Sequence, residues 1–137
     1  MSDSFWEHFD RERGYLSDDD TDGQYAPWRT RGHHDGTAPS KLVLVPARHV
    51  SSERWRFPYL QTIIQRYDWE SGQLSLILPS SGYIVFIQGR GLDELDELID
   101  RRQVASVHMF DDAIHQPVGN DAPIVTNIIV EEQKPFA

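Results

Sequence analysis

His108, Asp111, Asp112 and His115 lie within eight residues of one another. Imidazole nitrogens and carboxylate oxygens are the donors that zinc, manganese and iron accept. This is the densest group of such donors in the chain. It follows no established ligand spacing, and an acidic loop at a strand end has the same composition. It supports a reading as a small metal-dependent enzyme or ligand binder, with these four residues as metal ligands.

The other chemical motifs are weaker. Asp18, Asp20 and Asp22, followed by Gly23, match the first half of a calcium loop. The second half fails, because the twelfth position is Arg29 and Pro27 lies inside the loop. His33-His34-Asp35 sits in the same glycine-rich stretch. Gly89-Arg90-Gly91 joins an apolar run to a helical one, where a phosphate could bind. The dinucleotide pattern then needs a glycine at position 94; Glu94 is there, and Asp93 and Glu94 repel an anion. A tight strand-to-helix turn is the better reading. Arg48, His49, Arg54, Trp55, Arg56 and Phe57 interleave cations with aromatics, as single-stranded nucleic acid binders do. That is one patch on a chain of net charge -9. Direct nucleic-acid binding is therefore disfavoured, and the arginines are expected to pair with the chain's own acids or a neighbouring subunit's acidic linker. No cysteine is present, which excludes disulfides, thiolate zinc sites and cysteine nucleophiles. Serines are available, but spacing ties none to a histidine and an acid.

The elements that would position these groups centre on Leu74 to Phe110. QLSLILP and YIVFIQG are apolar strands joined at Pro79-Ser80-Ser81-Gly82. The second is apolar on both faces and should be covered twice. A helix is expected over Leu92 to Arg102, with Leu92, Leu95, Leu98 and Ile99 forming one apolar stripe. Asp93 and Glu94 open it and Arg101 and Arg102 close it, both favourable to the helix dipole. Further strands are expected at 41–45, 59–69, 103–110 and 124–130, with loops at 47–58 and 111–122. Together these give an α+β fold, an antiparallel-rich, curved sheet of five to six strands in the order β-β-β-β-α-β-β with one main helix. Eleven helical residues span about 16 Å, too little to cover both faces of such a sheet. The N-terminal arm, a second sheet layer or a second copy must cover the rest.

The domain is placed at 41–132, with 133–137 as a frayed end. Residues 1–40 read as an acidic, partly disordered arm that carries a short helix. Ser4 and Glu7 fit a capping box, and Phe5, Trp6 and Phe9 share a face that needs a surface. The arm holds nine acids and four bases, against thirteen and nine in the rest. No apolar run is long enough to span a membrane. The opening MSDSFWEHFD lacks the basic and apolar segments of a secretory leader, and a cytoplasmic protein is expected.

The leading functional expectation is a non-catalytic protein–protein interaction module that self-associates as a homo-oligomer, with no cofactor. Its partner would be a basic protein, met by Phe5, Trp6 and Phe9 of the arm and by Asp93, Glu94, Asp96, Glu97 and Asp100 on the helix. A further alternative is an acidic inhibitor of a nucleic-acid-handling protein, imitating a phosphate backbone.

Overall fold

Alternating apolar residues from Gln73 to Arg90 build the centre of a sheet. A computed structural model describes residues 23–30 and 38–133. Strands β5 (Gln73–Leu78) and β6 (Tyr83–Arg90) form a hairpin. β4 (Ile64–Asp68) flanks β5, and β8 (Ile124–Glu132) flanks β6. All neighbours in this second sheet, β4-β5-β6-β8, are antiparallel. The first sheet has the order β1-β7-β2-β3. It contains β1 (Trp28–Thr30), β2 (Lys41–Val45), β3 (Trp55–Pro58) and β7 (Val104–His108). β2 and β7 run parallel, while β1 and β3 pair antiparallel to their neighbours.

The two sheets share one core. Leu42, Leu44, Phe57 and Val107 of the first sheet join Leu74, Leu76, Val85, Ile87 and Ile128 of the second. Ring contacts tie the layers at one end. Trp55 of β3 meets Tyr83 of β6 edge-on, with centroids 5.1 Å apart, and Phe57 lies 5.8 Å from the same ring. Each fully buried leucine or valine contributes about 2 kcal/mol of hydrophobic free energy, so the interlayer contact dominates cohesion.

Helix α1 (Asp93–Asp100) adds Leu95 and Ile99 to this core. Gln65 Nε2 of β4 donates to the Asp96 carbonyl oxygen at 2.7 Å, which fixes the helix against the second sheet. The helix ends sooner than the expected Arg102. Arg102 is in the left-handed region (φ 58°), with its amide on the Ile99 carbonyl. The amide of Gln103 bonds the Leu98 carbonyl, completing a Schellman stop. Arginine occupies the usual glycine position. Its guanidinium lies 5.9 Å from the Tyr59 ring centre and donates to the Gln61 carbonyl, holding the strained residue in place.

The architecture is mixed α+β, as expected, but the single sheet of five to six strands is corrected to eight described strands in two layers. The two extra strands fall where a linker and a loop are expected. β1 has three residues and β3 four, and both are edges. β3 carries the last three residues of the arginine–aromatic patch: Phe57 is buried inward and Arg56 points out, a period-two alternation. Trp55 and Phe57 therefore help join the layers. The expected strand over 59–69 shortens to β4. Tyr59 instead turns its hydroxyl inward, 2.6 Å from the Val104 carbonyl it donates to. Burial is the main cause that raises the pKa of this phenol. The sheets also begin before residue 41, because Trp28–Thr30 pairs with β7. The arm's Phe5, Trp6 and Phe9, the calcium-like acids 18–22, His33-His34-Asp35 and residues 134–137 lie outside the described residues.

Candidate functional site

β2 and β7 are parallel neighbours, so both deliver the chain to the same edge of the sheet. Their following loops diverge there and leave a cavity of about 140 Å³. His108, the last residue of β7, lies in its wall with Asp111 and His115. Three of the four clustered residues thus share one cavity. Asp112 is exposed and lines the adjoining cleft with Arg48 and His49.

Much of the cluster's hydrogen-bonding capacity serves the fold. The Asp111 carboxylate accepts the amides of Ala113 at 3.0 Å and Arg48 at 3.1 Å. Those backbone bonds, led by Ala113, hold its pKa below the usual carboxylate range. The Asp111 amide donates to His115 Nδ1 at 2.9 Å. Metal binding would compete with these bonds for the same lone pairs. Among the described residues, no three histidines, aspartates or glutamates converge as a metal-ligand set.

His108 Nε2 lies 2.9 Å from Ser106 Oγ. Both residues are buried, and Ser106 has no exposed surface with which to meet a substrate. Burial drives the His108 pKa down to about 3, helped by the positive charges of Arg29, Arg54 and His115. An unfolded histidine takes up its proton near pH 6.5. Between about 6.5 and 3 the unfolded chain therefore holds the extra proton, and stability falls as pH falls. The slope approaches about 1.4 kcal/mol per pH unit within that window. The urea midpoint should drop clearly from pH 7 to pH 5. His108→Gln, which keeps a polar partner for Ser106, should flatten that dependence.

Tyr25 joins the cavity wall to the second sheet. Its hydroxyl donates to the His108 carbonyl at 2.6 Å and accepts the Val125 amide at 2.9 Å. Its ring packs edge-on against Phe110 and His115. Motif reading passes over Tyr25, since a lone tyrosine in a polar stretch has no periodic neighbours to mark it.

A second candidate is the outer face of the β4-β5-β6-β8 sheet. The pairing aligns Ile64, Ile77 and Ile84 in one row, and Arg66, Ser75, Phe86 and Ile129 in the next. Ile64 is 47 % exposed, while Ile77, Ile84, Phe86 and Ile129 are half-buried. Sequence periodicity shows that β6 is apolar on both faces. The register between strands, which assembles the stripe, depends on long-range pairing.

On α1, Glu94, Glu97 and Asp100 are exposed. Asp93 is exposed as well but engages Tyr67, whose pKa is raised by burial first and then by this carboxylate. Asp96 is half-buried and accepts Gln65 Nε2 at 2.6 Å. The five acids are therefore split between fold contacts and a free outer edge.

Comparison with protein-family models, curated proteins and solved structures gives no significant match. No helix of the described residues is long and apolar enough to cross a membrane.

Proposed function

We propose that the chain is a non-catalytic, cytoplasmic interaction module that self-associates through the outer face of its β4-β5-β6-β8 sheet. The observation that carries this reading is the stripe of Ile64, Ile77, Ile84, Phe86 and Ile129 on the side of the sheet away from the core. A second copy suits it because the face is complementary to itself. Arg66 lies on the β4 edge and Glu131 on the β8 edge, both exposed. A half-turn about the strand direction lays β4 of one copy over β8 of the other, setting Arg66 over Ile129, one row from Glu131, at the rim of an apolar centre. The free acids Glu94, Glu97 and Asp100 remain available to a basic protein partner, with Phe5, Trp6 and Phe9 of the arm as further anchors.

Light scattering on the full chain tests this. The expected mass is twice the 15.8 kDa of one chain. Phe86→Lys or Ile84→Lys should return it to one chain with an unchanged circular dichroism spectrum. A wild-type monomer at all concentrations, or a dimer that survives both lysines, overturns the proposal.

A further inference from the structure

We propose that the cavity at the carboxyl ends of β2 and β7 binds a small phosphate-bearing anion, gripped by Arg48 and Arg54 with Ser51 and Ser52 as hydroxyl donors. The site lies away from the outer sheet face and does not depend on self-association.

Three observations lead here. The first is position. In sheets with parallel strands, ligands collect beyond the carboxyl ends, where successive loops part. The β2–β7 pair makes that arrangement, and the cavity lies between residues 45–54 and 108–115.

The second is charge. The chain carries -9 overall, yet two arginines, Arg48 and Arg54, line this one cavity. The buried carboxylate, Asp111, is turned onto two backbone amides. Glu53 is the opposing acid, and it sits on the exposed rim. With the Asp111 carboxylate committed to those amides, the two arginines are the groups of the lining best able to meet an anion.

The third is donor number and room. Arg48 and Arg54 line the cavity together with Ser51 and Ser52. Ser51 Oγ already accepts the Glu53 amide at 3.0 Å, so its own hydrogen is free to be donated inward. Four donor groups can be spread over the three or more oxygens of a phosphate, whose greater negative charge draws two arginines more strongly than a carboxylate does. A volume of 140 Å³ is close to the roughly 150 Å³ that admits a benzene-sized guest. It takes a phosphate group with a short substituent and excludes a whole nucleotide.

The test is a titration of the full chain with inorganic phosphate at constant ionic strength, read by the imidazole resonances of His108 and His115. Saturable shifts are expected, with a dissociation constant of about 1 mM or below. Arg54→Gln and Arg48→Gln change exposed loop side chains and should keep the native spectrum. Each should weaken binding about tenfold or more, and acetate should bind less tightly than phosphate. The proposal is overturned if phosphate gives no saturable shift, if either variant keeps wild-type affinity, or if acetate binds as tightly. The solution mass reports on self-association alone, so the two proposals can fail separately.

Discussion

Gly89→Ala is expected to destabilise the domain by about 3 kcal/mol or more, a large share of what a domain this size possesses. Gly89 lies at the irregularity where the β6–β8 register shifts. A β-carbon built there would fall well inside contact distance of the Ile124 carbonyl oxygen and press on the Val125 backbone. The other side is equally tight. The Gly89 amide donates to the Gly72 carbonyl at 3.0 Å, and a β-carbon on Gly72 would run into the Gly89 carbonyl oxygen. Two backbone segments thus close on one residue, and neither can retreat like the end of a side chain. Urea denaturation should show a much lower midpoint for Gly89→Ala. Gly82 provides the control. Unlike Gly89 it turns with positive φ (78°), but no atom lies within 4 Å of an added β-carbon. Gly82→Ala should cost only about 1 kcal/mol of backbone strain. If the two substitutions cost the same, close packing at Gly89 is not what demands glycine there.

Gly89 also marks how far local reading reaches. The run Gly89-Arg90-Gly91 signals a tight turn, and Gly91 does supply it, at φ 68°. Gly89 itself is still within β6 and is needed because β8 and the β4–β5 turn approach it. That approach involves residues 72 and 124, far away in sequence. The same divide runs through the fold. The β5 and β6 alternation, the glycine reversal at Gly82 and the stripe Leu92, Leu95, Ile99 are local patterns, and each was legible. The first sheet was not legible as a layer of its own: β2 and β7 read as strands, but β1 and β3 are short, and the pairings that join the four span long separations. β2 must find β7 about sixty residues later to form the parallel pair. A three-residue strand such as β1 has too few side chains to show a period. In the candidate site, the density of His108, Asp111 and His115 was visible. Their use was not, because Asp111 and His115 spend their polar atoms on backbone groups that only the folded loop brings near. The arginines of the cavity read as a stacking patch, because sequence alone cannot separate Arg54 at the cavity from Trp55 and Phe57 in the core.

Removal of residues 1–39 should cost the domain most or all of its stability, although composition makes that stretch look dispensable. It contains β1, half-buried Trp28 packed on the core, and Tyr25. Without β1, β7 becomes an edge, and its valines, Ser106 and His108, now buried, lose one flank. Loss of the Pro27 carbonyl frees the His108 amide that donates to it at 2.8 Å. Loss of Gly23 does the same to the Gln116 amide. Loss of Tyr25 removes the hydroxyl that joins the His108 carbonyl to the Val125 amide, one in each layer. Each buried polar group left without a partner costs about 1–3 kcal/mol. Three such losses at His108 and Val125, added to the exposed Trp28 site, approach the 5–15 kcal/mol that holds an ordinary domain together; the Gln116 amide, on an exposed residue, can turn to water. Tyr25→Phe isolates one part of this effect. It keeps the ring against Phe110 and His115 and deletes only the bridging oxygen, so it should cost about 2–4 kcal/mol. Thermal melts of the truncated chain and of Tyr25→Phe beside the full chain decide the matter. A truncated chain that melts cooperatively at the full-length temperature would mean that β1 and Tyr25 lie on the two layers without holding them together.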